Sequence, residues 1–374
     1  MRRNLLGCLV LLAACSSGAS HAASSASPHA ATGPLRGVCP PTIVVQTDWT
    51  PEADHSELYQ LTAPTGTVDA NRKRYTSELV AHGVDTGVKI EIRAGGPAIG
   101  FQQVSAQMYA EPSIYLGYVN TDEAVEDSAH EPTVAVVAPR NLDPQVIMWD
   151  PATHPSFRSI ADIGRTNTTV VYLKGRTYMD YLVGHGVLKA SQIDGSYDGS
   201  PARFVASGGQ IAQQGFATAE PYQYEHEIAH WMKPVKFQLI ADTGYSPYPE
   251  ALAVRAADLA ADGACLRALV PMIQQAQVDY VANPAAANAT IVRLVAAFNA
   301  GTAYSAGTAA YAAKAQVDQK IIANGSDGVL GSFDPARVQQ LTAILTPIYA
   351  AQHLTVQVGT VFTNQFIDRS IHLP

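Results

Sequence analysis

The sequence predicts an α/β fold built from parallel β-α-β units, and three observations lead there. Short aliphatic runs such as T-I-V-V-Q at 42–46 are bounded by turn residues, the pattern of strands buried on both faces. Strand and helix signals then alternate at the spacing of crossover units. The 374 residues, 47% of them hydrophobic and 15% charged, are enough for two lobes with their own cores. Net charge is −8 and no basic run is longer than Arg72-Lys73-Arg74. Such a chain has little with which to neutralise phosphates, which argues against a nucleic-acid partner.

The opening M-R-R-N-L-L-G-C-L-V-L-L-A-A-C at 1–15 predicts a lipoprotein signal peptide. Arg2 and Arg3 form its charged end, and 5–12 is an apolar core too short to cross a bilayer. Leu12-Ala13-Ala14-Cys15 resembles a bacterial lipobox, in which the cysteine is acylated and becomes the N-terminus. A secretory cut after Ser20-His21-Ala22 is the alternative. Both readings place the mature protein outside the cytoplasmic membrane, and the first anchors it there by lipid. Residues 16–36, Ser/Ala/Pro/Gly-rich and without periodicity, predict a flexible tether. Cys8 leaves with the signal and Cys15 would carry the lipid, so Cys39 and Cys265 remain as a pair. In an oxidising compartment this pair predicts one disulfide, with two free buried thiols as the alternative.

The first strand is T-I-V-V-Q-T-D-W, ending in Asp48-Trp49-Thr50-Pro51, and a helix follows with Ser56 and Tyr59 in its first turns. The stretch 71–83 reads as a helix, and V-K-I-E-I at 88–92 alternates as a strand. A helix over 101–110 and a strand S-I-Y-L-G-Y-V come next. A second lobe begins near P-T-V-A-V-V-A-P and includes the strand Q-V-I-M-W, a helix starting at Ser159-Ile160-Ala161-Asp162 and the strand T-T-V-V-Y-L. Gly175-Arg176-Thr177 opens the helix Y-M-D-Y-L-V-G-H. A-Q-Q-G-F-A-T at 212–218 reads as a helix leading into Glu220-Pro221-Tyr222. Strands V-K-F-Q-L-I-A-D and A-L-A-V-R follow, and the chain after about 258 is helix-rich. There is no internal repeat, no Gly-x-Ser-x-Gly and no P-loop.

One motif competes with this picture. His226-Glu227-Ile228-Ala229-His230 matches the zinc-peptidase pattern, with Glu250 downstream as a third ligand. A zincin holds that motif within a long buried helix. Here Pro234 stops the segment within a turn, and Glu250 sits in a turn entering a strand. Neither a metal nor a cofactor is predicted.

V-V-Q-T-D-W-T-P-E-A-D-H-S-E-L-Y at 44–59 resembles the start of the substrate-binding proteins of bacterial ABC importers. The branch is the one similar to the pyrimidine-precursor synthases of thiamine biosynthesis. Its members carry Asp-Trp-Thr-Pro at the end of the first strand and a histidine soon after, here Asp48, Trp49, Thr50, Pro51 and His55. The likeness continues in order through G-P-A-I-G-F-Q-Q-V, P-Q-V-I-M-W-D-P, S-I-A-D-I-G, Y-M-D-Y-L, A-Q-Q-G-F-A-T-A-E-P-Y, K-P-V-K-F-Q-L-I-A-D-T-G-Y, Y-P-E-A-L-A-V-R and T-N-Q-F-I-D-R-S-I. Many relatives follow the histidine with Thr-Gly where this chain has Ser56-Glu57, so the ligand's identity does not carry over.

The resemblance implies a two-lobed periplasmic-binding-protein fold, type II-like, with the ligand cleft between the lobes. Lobe 1 would take 37–135 and 240–374, lobe 2 136–239, with crossings near 130–136 and 236–242. It further implies a monomeric extracytoplasmic receptor that hands a small heterocycle, such as a thiamine-type pyrimidine or a flavin, to an ABC permease. An enzyme on the same fold acting on such a compound is the alternative, and a receptor for a sulfonate or nitrate a further one. In this fold Trp49, Tyr115, Tyr178 and Tyr222 are expected as flat walls, each stacked ring adding roughly 0.5–1.5 kcal/mol. Asp48 and Glu220 would accept ring N–H groups. Gly175 and Thr177, flanking Arg176 at a helix start, would offer N–H groups and a hydroxyl. His55 would be a contact or a structural histidine, and Tyr245 would serve hinge or ligand. Competing roles are core packing for Trp49, helix capping for Asp48 and an ion pair with Arg176 or Arg203 for Glu220.

Overall fold

A computed structural model describes residues 33–300, 303–357 and 359–374. The signal peptide, Cys15 and nearly all of the expected tether lie outside the described residues. The chain starts with strand β1 (Thr42–Gln46), a 3-10 turn at Ala53–His55 and helix α1 (Ser56–Gln60). Strands β2 (Thr62–Asp69), β3 (Arg74–Ala81) and β4 (Val84–Arg93) form an antiparallel meander. Helix α2 (Val104–Ala110), strand β5 (Leu116–Val119), helix α3 (Thr121–Glu126) and strand β6 (Thr133–Val137) complete the first pass. The second pass holds β7 (Gln145–Trp149), α4 (Ile160–Gly164), β8 (Val170–Val171), α5 (Thr177–Gly184) and β9 (Ile193–Asp194). It ends with α6 (Ala202–Ala206), β10 (Ala212–Phe216), α7 (Glu220–His226) and β11 (Lys236–Leu239). Strand β12 (Ala251–Arg255) returns to the first sheet, and helices α8 (Gly263–Ala282), α9 (Ala285–Phe298), α10 (Ala306–Asp318) and α11 (Pro335–Ala351) follow.

Two sheets result, ordered β2-β3-β4-β1-β5-β12-β6 and β11-β7-β10-β8-β9. Strand β1 runs parallel to β4 and β5 at the centre of the first sheet, which demands apolar side chains on both of its faces. Ile43 and Val45 pack with Leu266, Leu269 and Ile273 of α8, while Val44 packs on the other side with Val104 and Met108 of α2. The second lobe is thus an insertion between β6 and β12. Strand β6 lies wholly in the first sheet, paired with β12, so the chain passes between the sheets at 138–144 and 240–250.

Two stretches expected as helices are strands. The residues R-Y-T-S-E-L-V-A alternate, with Tyr75, Ser77 and Leu79 buried, so 74–81 is β3 rather than helix. Asp69 turns the chain into it by accepting the Arg72 backbone N–H at 3.0 Å, and Lys73 takes a left-handed φ of 56°. Residues 212–216 have the composition of a helix, yet β10 pairs with β7 and β8 in the middle of the second sheet. Tertiary pairing overrides propensity there. Gln213 donates to the Tyr224 hydroxyl at 3.1 Å, and Gln214 accepts from Leu173 N–H at 2.6 Å. The expected helix over 101–110 begins only at Val104, after a 3-10 turn at Gly96–Ile99.

Helix α11 touches both lobes through Tyr349, whose hydroxyl donates to the Asp122 carbonyl at 3.1 Å and lies 3.3 Å from Thr177 Oγ1. Cys39 and Cys265 are joined in a disulfide across a sequence separation of 226 residues.

Candidate ligand-binding site

A cavity of about 260 Å³ lies between the lobes. The turn after β1 supplies Asp48, Trp49, Thr50 and Glu52, which places them at the carboxyl end of a central parallel strand, where ligands of open α/β sheets gather. The second lobe contributes Leu173, Arg176, Tyr197, Gln214, Phe216, Glu220 and Tyr224, and Tyr304 closes one side from the segment before α10.

The turn holding Asp48 and Trp49 is tied down by backbone bonds. Gly96 N–H donates to the Asp48 carbonyl and Gly95 N–H to the Trp49 carbonyl, both at 2.8 Å, and Thr47 Oγ1 also donates to the Trp49 carbonyl at 2.8 Å. Gly96 has a φ of +56°, and a Cβ there would sit 2.6 Å from the Trp49 ring. Glycine therefore lets the indole lie flat against the backbone. From the other lobe, a Cβ on Gly199 would be 3.5 Å from the same ring, so Trp49 bridges the lobes.

Behind Asp48 is a buried charge network. His55 Nε2 lies 3.1 Å from Asp48 Oδ1, 3.8 Å from Glu250 Oε2 and 3.9 Å from Glu52 Oε1. The imidazole stacks on Tyr118 at 5.1 Å, and the buried Arg140 guanidinium stands 5.4 Å over that same ring. Arg140 contacts Glu250 and lies 3.7 Å from Glu57, which accepts the Tyr118 hydroxyl. Burial works against the charge on Asp48, yet the His55 hydrogen bond and the nearby charges of His55, Arg176 and Arg140 outweigh it and hold the carboxyl below its ordinary range. Asp48, His55 and Glu250 are the one group among the described residues whose ligand atoms, within 4.8 Å of one another, suit a metal ion. The guanidinium against Glu250 already supplies positive charge there.

The other two carboxylates behave differently. Burial pushes Glu220 up to about 7, although it accepts the Phe216 N–H at 2.8 Å. Burial, followed by the neighbouring Asp54, Asp48 and Glu220, pushes Glu52 well above its usual range. Asp54, just behind, accepts the Thr218 hydroxyl of the second lobe at 2.7 Å, and Arg176 donates to Glu123 of the first lobe at 2.8 Å. The lobes thus meet through polar contacts around the cavity.

Of the residues expected from sequence, Asp48, Trp49 and Glu220 come together on this cavity. Gly175 lines an adjoining chamber, and His55 stands one layer behind Asp48. The others do not reach the wall. Tyr115 is buried in the first-lobe core just before the amino end of β5, away from the carboxyl strand ends that border the cavity. Thr177 meets Tyr349 and Tyr245 donates to Asp122 at 2.5 Å in the packing between lobes, while Tyr178 donates to Gln214 Oε1 at 2.8 Å within the second lobe, behind the wall. Tyr222 turns outward against His226 and Tyr311 of α10. Tyr197, Gln214, Phe216 and Tyr224 were not singled out from sequence. Phe216 and Tyr224 flank Glu220 and were open to inference from it, whereas Tyr197 is on a loop with no pattern of its own. In H-E-I-A-H, helix α7 ends at His226, so the two histidines share no helical face. Glu227 instead accepts the hydroxyls of Ser305 and, at 3.0 Å, Thr308.

No protein-family model and no characterised protein matches this sequence significantly. Solved structures do match. The periplasmic aliphatic sulphonate binding protein SsuA from Escherichia coli aligns with a TM-score of 0.54 at 15% identity, over 86% of this chain and 91% of that one. The alkanesulfonate-binding protein SsuA from Xanthomonas axonopodis pv. citri, bound to MOPS, aligns at 0.52 and 13% identity, over 86% and 96%. An ABC transporter protein from Parabacteroides distasonis aligns at 0.53 and 8% identity, over 87% and 100%. At these identities the likeness concerns fold, and the chain adopts the two-lobed α/β fold of periplasmic binding proteins.

Proposed function

We propose that the protein is an extracytoplasmic receptor of an ABC importer that closes on a small heterocycle, cationic or rich in N–H donors, of the thiamine-type pyrimidine or flavin kind. The supporting observation is the convergence of Trp49 with the carboxyl groups of Asp48, Glu52 and Glu220 on a cavity large enough for one or two rings. A flat ring stacks on the indole, and its donors reach acceptors that burial otherwise leaves costly. Sulfonates, which two of the structural neighbours bind, call for donors where this cavity has carboxylates. The enzyme reading through a thiol nucleophile is weakened by the bond between Cys39 and Cys265, which occupies both described cysteines. Export, lipid attachment at Cys15, a monomeric state and delivery to a permease belong to the same proposal. The lobes would be 37–135 with 240–374 and 136–239, adjusted to the crossings described above.

A thermal-shift panel of aminopyrimidines, flavins, nucleosides, alkanesulfonates and nitrate tests it. A ring compound should raise the melting temperature, and Trp49→Ala or Glu220→Gln should weaken its binding by roughly tenfold or more. Stabilisation by sulfonates alone, insensitive to Glu220→Gln, would refute the reading. Conversion of a hit into product would favour the enzyme.

A further inference from the structure

We propose that Glu227, the acid within H-E-I-A-H, is a positioning residue that latches the second lobe onto helix α10 of the first and so governs ligand retention. The inference goes beyond the receptor reading, since the joint holds the lobes together through protein groups alone, whatever the ligand.

The latch follows from how two helices end. Helix α10 begins at the N-cap Ser305, whose hydroxyl accepts the Thr308 N–H at 3.0 Å. A capping box would place Glu or Gln at 308. Threonine stands there instead, and α10 has no acidic residue in its own first turn. The second lobe supplies the acid. Glu227 accepts the Ser305 hydroxyl on one carboxylate oxygen and, at 3.0 Å, the Thr308 hydroxyl on the other. A carboxylate suits the positive end of α10, whereas at the C-cap of its own helix α7 it meets the negative end. Its charge is therefore better matched across the lobes than within its own.

Both sides of the joint are firmly mounted. Tyr224 and Trp231 anchor the Glu227 segment by packing on Phe204, with ring separations of 5.3 and 4.9 Å. Ala312 fixes α10 in the first-lobe core. Beside Glu227, Gln223 Nε2 donates to the Ala303 carbonyl at 3.2 Å, and the Tyr222 ring lies 5.7 Å from Tyr311. A Cβ on Gly307 would be 2.7 Å from Tyr222 Cζ, so glycine there lets α7 reach the α10 backbone. Gln223, Glu227, Ile228 and Ala303 also line the first cavity, which makes the joint part of its wall. The latch has leverage as well. Beyond the far end of α10, the Ile321 carbonyl accepts the Asn141 and Leu142 N–H groups of the first crossing at 2.7 and 3.2 Å. The 13 residues of α10 span about 20 Å between crossing and latch. Rotation by about 10° about the crossing would move Glu227 by roughly 3.5 Å, enough to break both bonds.

The test places spin labels on cysteines introduced at the exposed Ala206 of α6 and Ala297 of α9, one per lobe, in the full mature chain. Cys39 and Cys265 are bonded to each other and take no label. Double electron–electron resonance on ligand-free wild type should show one narrow distance population. Glu227→Ala should shift it to longer, broader separations, with Glu227→Gln in between because the amide keeps one acceptor oxygen. Gly307→Ala should open the lobes from the other side. Gly307 does not line the cavity and alanine favours a helix, so its effect comes neither from a lost ligand contact nor from a weakened α10. Superimposable distributions for wild type, Glu227→Ala and Gly307→Ala overturn the proposal. Release of riboflavin or an aminopyrimidine alcohol, followed by surface plasmon resonance, should quicken roughly tenfold in both variants while association changes less than about twofold. Faster release in Glu227→Ala alone, with Gly307→Ala like wild type, would make Glu227 a ligand contact and overturn the latch. Failure of both compounds to bind wild type counts against the ring reading, and the distance measurement still decides the latch.

Discussion

At the residue scale, Glu220 gives the site a pH dependence. Its carboxyl, pushed up to about 7 by burial, is mostly protonated a unit below that and ionised a unit above. Protonation removes the negative acceptor, so affinity for a cationic or donor-rich ring should fall as pH drops from about 8 to about 6, approaching tenfold per unit at the acid end. Titrations at several pH values check this, and Glu220→Gln should bind more weakly at the alkaline end and flatten the slope. The effect on stability has the opposite sign. A carboxyl raised from 4.5 to about 7 favours the folded state below the lower value and loses that contribution as pH rises through the upper one. Asp48, Trp49 and Glu220 were legible from sequence because each ends a recognisable strand or opens a helix. Tyr115, expected at a carboxyl strand end, stands before the amino end of β5, and Tyr245, expected near the second crossing, packs on Asp122; sequence does not say which way a ring turns. The pairing of Asp48 with His55 lay partly in view, but Arg140 and Glu250 come from remote segments and are brought in only by the sheet.

At the element scale, the turn between β4 and α2 shapes the Trp49 platform. Gly96→Ala would put a methyl 2.6 Å from the indole at a φ of +56°. The strain should cost about 1–2 kcal/mol of stability, read from a denaturant midpoint, and the displaced ring should weaken ligand binding by a larger factor than Gly100→Ala does. Gly100 shares the positive φ, at 65°, with open space around its missing Cβ, and so controls for strain alone. Strands β1, β5, β7 and β12 were legible as apolar runs, and β4 from its alternation. Strand β3 was missed because its polar and charged positions mask an inward Tyr75, Ser77 and Leu79 alternation. Strand β10 was missed because its two glutamines and glycine look like surface, while partners on both flanks make it central. In both cases long-range pairing, which a local window does not contain, decided the conformation.

At the scale of the whole molecule, the disulfide ties the chain's first described segment to α8, past the entire inserted lobe. In the chain-entropy account a closed loop of that length is worth about 5 kcal/mol, an upper figure. Replacing both Cys39 and Cys265 by Ser should therefore lower the melting temperature strongly while leaving ring affinity near that of wild type, since neither sulfur lines the cleft. Loss of affinity at a temperature where the variant is folded would contradict this. The two-lobed plan was legible only through the ordered set of motifs, because no single block specifies where a chain leaves one sheet and returns to it.

The placement of the tryptophans has a practical outcome. Of the three, Trp149 is 1% exposed and Trp231 is 9% exposed, both packed within the second lobe, whereas Trp49 alone lies at the cleft. Under the receptor reading, an aromatic guest settling on that indole should quench or shift its emission over a steady background from the other two. Such a receptor would carry its own optical gauge of occupancy, readable without any dye or label.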